Sequence, residues 1–208
     1  MAYKVLVVED QTLPRQLFEN IVNSSASYEL VGSIDSCDMA DLYCAKTNPD
    51  LIITDIVMYD GINGIEMTKR IKKTYPGIKI LMVTSMPDST FLEKAKEVGA
   101  DSFWYKEAQE EPMLEIMDRT MAGESVYPTV SPSVVIGNAK STEFTSREID
   151  VLRMLVAGLS DREIAENLDI SFHTVRFHLN SMLAKTGSTS RTDLAIRAAR
   201  SGIVVPEV

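Results

Sequence analysis

The chain has 208 residues, of which 45% are hydrophobic and 25% are charged. This length suits one large domain or two modest ones, and we expect two. The formal net charge of −9 argues against a protein that coats nucleic acid without sequence preference.

The N-terminus, MAYKVLVVED, enters a strand at once and has no basic segment followed by the apolar run of a secretory signal. No apolar run approaches the roughly 18 residues of a membrane span. The sequence therefore predicts a cytoplasmic protein that is neither exported nor membrane-spanning. Cys37 and Cys44 are interpreted as small packed residues of one helix, because neither has a partner cluster at metal-ligand spacing.

The first 122 residues alternate short apolar runs with helical patterns. The apolar runs are KVLVV, YELVGSI, LIIT, IKILMV and SFWY, and helical patterns begin near Thr12, Asp38 and Gly64 after the first three. Apolar strands without alternation, joined by helical crossovers, are typical of a parallel sheet covered on both faces. The sequence therefore predicts an α/β domain with a five-stranded, doubly wound parallel sheet.

Polar side chains stand at the carboxyl ends of four of these strands. Glu9 and Asp10 follow the first strand, and Asp55, Thr84 and Lys106 close the third, fourth and fifth. Because these strand ends meet at one edge of a parallel sheet, we expect the five side chains to converge there. Three carboxylates repel one another, and oxygen ligands in that number suit Mg²⁺. The Lys and the hydroxyl could then hold a phosphoryl group on the central Asp, a nucleophile of the carboxylate type.

This constellation resembles the receiver domain of two-component response regulators, over residues 3 to about 122. The resemblance implies a flavodoxin-like fold in which Asp55 is the phosphoacceptor. It also implies that Glu9, Asp10, Asp55 and the carbonyl of Val57 surround a Mg²⁺ ion.

By the same resemblance, Lys106 binds phosphoryl oxygens, Thr84 is the switch hydroxyl and Phe103 is the switch aromatic. An ordinary core role for Phe103 stays open as the alternative. The family usually has Met-Pro where this chain has Met58 and Tyr59, so the loop after the acceptor lacks the constraint of that proline.

Residues 123–143 contain two prolines and two glycines and have no sustained helical period, which predicts a linker. From residue 144 to residue 208 we predict a domain of four short helices without strands. Three of these helices begin with a capping-box pattern, TSRE, SDRE or SRTD, and the third helix begins at Ser171. The stretch SDREIAENLDISFHTVRFHLN is typical of a helix-turn-helix, which lays its second helix in the major groove of DNA.

A helical wheel divides the third helix into two faces. The face expected to pack inward consists of Phe172, Val175, Leu179, Met182 and Leu183. On the opposite face, Arg176 and Asn180 can make bidentate bonds to base edges, and Phe177 can contact a thymine methyl. An incidental exposed aromatic is the alternative for Phe177. The residues predicted to contact DNA are Thr174, Val175, Arg176, Phe177, His178, Asn180 and Lys185.

The stretch from FTSREIDVLRMLVAG to SRTDLAIRAARSGI resembles the LuxR-type helix-turn-helix. With the receiver in front, the whole chain resembles a response regulator of the NarL/FixJ class. That resemblance implies a partner histidine kinase, double-stranded operator DNA and a homodimer. The dimer contacts implied in the last helix are Leu194, Ala195, Ala198 and Ala199, although some of that face must be core instead.

Two alternatives remain at this stage. A haloacid-dehalogenase-like phosphatase also uses an Asp after a strand, but it would want a second acid at the position of Val57. The second alternative is a response regulator that works without phosphorylation, because Tyr59 is unusual at a position where the family has proline. If the receiver interpretation holds, Val57 and Met86 border the path of the hydrolytic water and cannot activate it, which predicts slow self-hydrolysis.

Overall fold

The computed structural model describes residues 1–58, 64–86, 89–106, 112–129 and 132–204. The chain divides into two compact units, with the main division between residues 130 and 131. Within the described ranges, no helix combines the length and the apolar character that a bilayer-crossing segment requires.

The first unit is built on a five-stranded, all-parallel sheet with the order β2-β1-β3-β4-β5. This order characterises flavodoxin-like, doubly wound folds, so the predicted fold class is confirmed. The strands are β1 Tyr3–Val8, β2 Tyr28–Ile34, β3 Leu51–Asp55, β4 Lys79–Thr84 and β5 Ser102–Tyr105.

Helices connect the successive strands. The helices of this unit are α1 Thr12–Asn23, α2 Ala40–Thr47, α3 Gly64–Thr74, α4 Ser89–Glu97 and α5 Met113–Met121. The helical segment expected from Asp38 begins as a 3-10 turn, Cys37–Met39, capped by the Ser36 side chain, and continues as α2. Both cysteines are buried and neither forms a disulfide within the described residues, in agreement with their interpretation as packed residues.

The apolar strands lie between two hydrophobic layers. Val5 and Val7 of β1 pack in a cluster with Phe18 of α1 and Met117 of α5. The intervening β1 residues, Leu6 and Val8, point to the other face and are equally inaccessible to solvent. Burial on both faces explains why these strands show no alternation of polar and apolar residues.

The second unit is mainly helical. Its helices are α6 Ser146–Val156, α7 Asp161–Asn167, α8 Phe172–Thr186 and α9 Arg191–Ser201. Thr145 and Ser160 form the predicted capping boxes, with Glu148 and Glu163 as the returning side chains. At α9 the returning Asp193 carboxylate accepts from the Thr189 amide, one residue before the cap.

A hairpin that the sequence did not predict precedes these helices. Its strands are β6 Val135–Ile136 and β7 Ala139–Lys140, both inside the range interpreted as a linker. Ile136 and Ala139 are 1% and 0% exposed and belong to the apolar core of the second unit. The intervening Gly137 has a φ of 60°, which suits the tight turn between two very short strands. The structure thus differs from a linker that extends to residue 143.

Candidate functional site

Lys106 links the carboxyl ends of three strands of the first unit. Its Nζ donates to Oε2 of Glu9, after β1, at 2.7 Å and to Oδ2 of Asp55, at the end of β3, at 2.6 Å. The two carboxylates are 0% and 4% exposed, so the ion pairs lie in a largely dry pocket. The structure therefore brings these three residues together as the strand-end pattern predicted.

The Asp55 carboxylate is held on both oxygens. Its Oδ1 accepts from the backbone amides of Ile56 and Val57, at 2.6 and 3.3 Å, while Oδ2 accepts from Lys106. Backbone amides are rigid donors, so the carboxylate has a fixed orientation. A carboxylate held in this way offers its oxygens to an incoming group in a defined geometry.

The electrostatics of the pocket reflect two acids that share one cation. Burial, reinforced by the negative charge of Asp55, raises the pKa of Glu9 to about 7 despite the hydrogen bond from Lys106. Burial alone would lower the pKa of the Lys106 ammonium, but the charge of Asp55 and the bonds to both acids outweigh it and raise that pKa. The pocket therefore favours an additional positive charge.

The remaining strand-end residues lie where the sheet places them. Thr84 is inaccessible at the end of β4, and its carbonyl oxygen accepts from the Lys106 amide at 2.9 Å. Asp10 is half-buried directly after Glu9. Phe103 is 1% exposed on β5. Tyr59, which stands where the family usually has proline, lies outside the described residues.

The fit of a metal ion can be judged from these groups. Among the residues that the structure describes, no three His, Cys, Asp or Glu side chains stand together as a ready-made metal cluster. The donors at the pocket are oxygens, however, and burial together with the charge of Asp55 raises the pKa of Glu9 despite its hydrogen bond from Lys106. Hard divalent cations prefer such oxygen donors, so the chemistry of the pocket fits Mg²⁺.

In the second unit, α8 presents polar and aromatic side chains to solvent. Arg176 and Asn180 are exposed, and Phe177 is 69% exposed. Thr174 and His178 flank them and are partly exposed. Five of the seven residues predicted to contact DNA thus lie on one accessible surface of the helix.

Two assignments on α8 are wrong, the DNA contact of Val175, which the wheel itself placed on the inward face, and the core position of Phe172. Val175 is 0% exposed in the core of the second unit, so its side chain cannot contact DNA. Phe172 was expected in that core but is 38% exposed, with its ring 5.9 Å from the guanidinium carbon of Arg176. Phe172 is the first residue of α8, and a wheel gives only an angle around the helix axis, so it cannot show where the covering elements end.

Lys185 is engaged inside the second unit. Its Nζ donates to Oε2 of Glu148 at 2.6 Å and to the carbonyl oxygen of Glu143 at 2.8 Å. Glu148 is buried and also accepts from the amide of Thr145 and the hydroxyl of Ser181. The sequence identified Glu148 only as a helix cap, because its partner on α8 is 37 residues away.

Burial by itself would raise the pKa of Glu148. The hydrogen bond from Lys185 and the one from the Thr145 amide outweigh this effect and hold the pKa below its usual value. The carboxylate is therefore charged whenever the unit is folded near neutral pH, and it keeps the Lys185 ammonium at the end of α8.

The four residues expected to mediate dimer contacts are divided between the core and the surface of α9. Leu194 and Ala198 are 0% exposed and pack inside the second unit, so they are unavailable to a second chain. Ala195 is partly buried against the same core, and Ala199 is exposed. Ile196 is 49% exposed and was not identified from the sequence, although an apolar residue next to a buried face is a recognisable signal.

Comparisons with known families match each unit separately. Residues 5–118 match the family model described as the response regulator receiver domain. Residues 142–198 match the model described as bacterial regulatory proteins of the luxR family.

Individual relatives span nearly the whole chain. The response regulator protein VraR of Staphylococcus aureus is 31% identical over 209 residues, which cover 98% of this chain and 100% of VraR. The response regulator RcsB, solved with DNA, has a TM-score of 0.62 at 17% identity, with 96% of this chain and 98% of RcsB covered. A LuxR-family DNA-binding response regulator of Staphylococcus aureus has a TM-score of 0.53 at 26% identity, over 57% of this chain and 98% of that one.

Proposed function

The chain belongs to the two-component response regulators that carry a receiver domain and a LuxR-type DNA-binding domain, and we propose that phosphorylation of Asp55 by a partner histidine kinase controls its binding to operator DNA. The observation that carries this proposal is the contact of Lys106 with both Glu9 and Asp55 in a buried pocket. Proteins that combine a receiver domain with a LuxR-type DNA-binding domain act as regulators of transcription.

The chemistry proposed for the pocket is phosphoryl transfer to a carboxylate. An oxygen of Asp55 attacks the phosphorus of the donor, the new O–P bond forms and the bond to the donor's nitrogen or oxygen breaks, with the electron pair leaving on the donor. The amides of Ile56 and Val57 fix the carboxylate during the attack. Lys106 then transfers its hydrogen bond to an oxygen of the phosphoryl group, where charge accumulates.

Mg²⁺ is the proposed cofactor. The groups that would hold it are the side chains of Glu9, Asp10 and Asp55 with the carbonyl oxygen of Val57. Its contribution when bound would be to neutralise negative charge on the phosphoryl oxygens and on the two buried acids.

The proposed switch runs from the pocket into β5. A dianionic phosphoryl group on Asp55 attracts the hydroxyl of Thr84, and the space that this side chain leaves lets Phe103 rotate. Two states of the receiver then differ in their α4 and β5 surface, and DNA binding by a dimer favours one of them.

The proposed DNA surface is the exposed side of α8. Arg176, Phe177 and Asn180 read base edges, and Thr174 and His178 contact the flanking backbone. RcsB is a relative in fold that has been solved with DNA, and two half-sites bound by a homodimer are the arrangement we propose here. The accessible part of α9, with Ala195, Ile196 and Ala199, is the proposed dimer contact.

For the domain division, we propose a receiver of residues 1–122 and a linker that begins at residue 123. The buried Ile136 and Ala139 support a DNA-binding domain that begins before the predicted residue 144, at about residue 132.

The test is incubation of the full chain with Mg²⁺ and acetyl phosphate, followed by intact-mass measurement. A single phosphoryl adduct that is absent in Asp55→Asn is expected, because the amide preserves shape but lacks the nucleophilic oxyanion. Steady release of phosphate from the donor would instead support a phosphatase. An adduct that persists in Asp55→Asn would place the acceptor elsewhere, and no adduct at all would support a regulator independent of phosphorylation.

A further inference from the structure

The chain that leaves α5 returns to the sheet of the first unit. Val126 is 8% exposed and belongs to the apolar core formed by α1, α5 and the strands. Residues 125–128, called here the edge segment, lie close to the end of the first unit, which extends to residue 130. The edge segment lies within the range that the sequence assigned to the linker.

Two hydrogen bonds attach the edge segment to β5, one to its backbone and one to a side chain. The amide of Phe103 donates to the carbonyl oxygen of Val126 at 2.9 Å. Because β5 pairs only with β4 within the sheet, this bond closes the outer edge of the sheet. The Val126 amide donates in turn to the hydroxyl of Ser102, which is hydrogen-bonded to the hydroxyl of Thr120 on α5.

Tyr127 of the edge segment lies over Phe103. The two rings are 6.4 Å apart between centroids and 27° from parallel. The Tyr127 hydroxyl donates to the carbonyl oxygen of Ala100 at 2.6 Å, and Lys96 of α4 lies 5.0 Å from the centre of its ring. One side chain therefore contacts the loop before β5, the aromatic side chain on β5 and the end of α4.

We propose that Tyr127 is a positioning residue that transmits the state of Phe103 to the linker and so to the DNA-binding domain. This inference rests on the proposed function, because it needs Phe103 to move when Asp55 is phosphorylated. It goes beyond that function because it names Tyr127 as the residue that responds to the movement of Phe103. It also names the edge segment as the part of the chain that detaches.

The contacts explain why a rotation of Phe103 would act on this segment. Phe103 supplies both a ring for Tyr127 and a backbone donor for Val126, so a shift of this one residue disturbs two attachments at once. An aromatic pair stabilises the packing beyond the apolar area it buries. The remaining attachments are the burial of Val126 and the contacts of Val126 and Tyr127 with Ser102, Ala100 and Lys96, and a short segment at a sheet edge can open locally without unfolding the whole unit.

Release of the edge segment has a direct consequence for the linker. The chain between the two units lengthens by the residues that detach, and a longer connection changes the effective concentration of one domain near another. Phosphorylation thus alters how freely two DNA-binding domains can reach adjacent half-sites, without requiring that α8 itself change.

The test compares Tyr127→Ala with Tyr127→Phe in the full chain. Tyr127→Phe keeps the ring on Phe103 and removes only the bond to Ala100, so it is the matched control. The measurement is the ratio of operator affinities with and without phosphorylation by acetyl phosphate and Mg²⁺, a coupling that is typically about 5- to 150-fold. Tyr127→Ala should lower this ratio at least about fivefold or bring it to about one, mainly because the unphosphorylated form binds more tightly. Tyr127→Phe should keep most of the wild-type affinity ratio.

Intact mass is measured on the same samples, so that two kinds of failure are separated. A wild type without an adduct on Asp55 would overturn both the proposed function and this inference. An adduct at the wild-type level in Tyr127→Ala together with an unchanged affinity ratio would overturn the inference alone.

A second measurement uses only the wild type and decides the matter if Tyr127→Ala does not fold. Amide hydrogen exchange is followed in peptides that contain Phe103 and Val126, with a β1 peptide as the reference. Phosphorylation should speed exchange at the first two and leave β1 unchanged. Equal protection of the Phe103 amide in both states would contradict the release of the edge segment.

Discussion

Glu148 and Lys185 form an ion pair that joins the first turn of α6 to the last turn of α8, with 2.6 Å between Oε2 and Nζ. The carboxylate is buried, whereas the lysine side chain is 29% exposed. A buried acid that also accepts from the Thr145 amide, the Thr145 hydroxyl and the Ser181 hydroxyl cannot lose its charge without weakening these bonds. This pair therefore fixes the orientation of the helix that is proposed to read DNA.

Replacing Glu148 by Gln should destabilise the second unit by about 1–3 kcal/mol near neutral pH, because Lys185 loses its charged partner. The folded-state pKa of Glu148 lies below its unfolded value, so its stabilisation is complete above about pH 4.3 and is lost as pH falls through the folded pKa. The difference between wild type and variant should therefore shrink at low pH. Amide hydrogen exchange in α6 and α8 measures this difference in stability.

The matched control is Glu163→Gln, which removes the other capping-box acid, on the exposed start of α7. Glu163→Gln should lower the stability of the second unit less than Glu148→Gln does, because the capping box of Glu163 contains no lysine. Equal losses in the two variants would show that capping, and not the ion pair, accounts for the effect.

The hairpin before α6 should be part of the folding unit. Ile136→Ala should cost about 2–5 kcal/mol, because Ile136 is 1% exposed in the core, whereas Val135→Ala, at a residue 62% exposed, should cost little. Fragments should behave in parallel: residues 132–208 should fold and residues 144–208 should not. Helix content by circular dichroism during thermal unfolding tests both expectations. A stable fragment of residues 144–208 would instead support the predicted linker of residues 123–143.

Gly64 should be essential for the geometry of the acceptor. A Cβ at this position would lie 2.1 Å from the carbonyl oxygen of Asp55, so Gly64→Ala must displace the backbone that carries the carboxylate. We expect a stability loss of about 1–3 kcal/mol and a slower gain of the phosphoryl adduct. Gly77→Ala is the control, since nothing lies within 4 Å of its added Cβ. Intact mass over time shows whether the two variants differ, and identical rates would refute the expectation.

Arg176→Ala should weaken binding to a specific operator by about 1–3 kcal/mol and relax the preference at one base pair, because Arg176 is exposed on α8. Lys185→Ala offers a contrast. The sequence placed Lys185 among the DNA contacts, but its ammonium is bound to Glu148, so we expect a lower unfolding free energy as the main effect of its replacement. Binding assays on specific and random DNA distinguish the two residues. Equal weakening on both DNAs for Arg176→Ala would remove it from the base contacts.

The phosphorylated protein should lose its phosphoryl group slowly. Val57 is half-buried beside Asp55, and neither it nor Met86 has a group that can orient or deprotonate water. The double variant Val57→Asn, Met86→Glu should therefore hydrolyse faster than the wild type. The decay of the adduct after removal of acetyl phosphate, with Mg²⁺ present, provides the comparison. A wild type that decays as fast as the variant would contradict the role of these side chains.

The sheet could be predicted from the sequence because its signals are local. The run YELVGSI matches β2, Tyr28–Ile34, and SFWY matches β5, Ser102–Tyr105. Once the strands are parallel, their carboxyl ends meet, which is why Glu9, Asp55 and Lys106 could be grouped without coordinates.

Features that depend on the packing of distant segments were missed. The strands of the hairpin have two residues each, too short for a periodic pattern, and what stabilises them is the burial of Ile136 and Ala139 against helices that follow. Leu194 and Ala198 on α9 were assigned to a dimer, although the core of their own unit covers them. A helical face shows that something packs there, but not whether the partner is the same chain.

The bond between Lys106 and Glu9 also has a consequence for the synthesis of the protein. It joins residues 97 positions apart, so the loop between them must close before the pocket exists. On the ribosome, Glu9 and Asp55 emerge long before Lys106, and the two acids have no cation between them until β5 has been made and has joined the sheet edge. A nascent or truncated chain that ends before β5 therefore lacks the lysine that is proposed to bind the phosphoryl group, and by this proposal only a receiver that is complete to its last strand is competent to accept a signal.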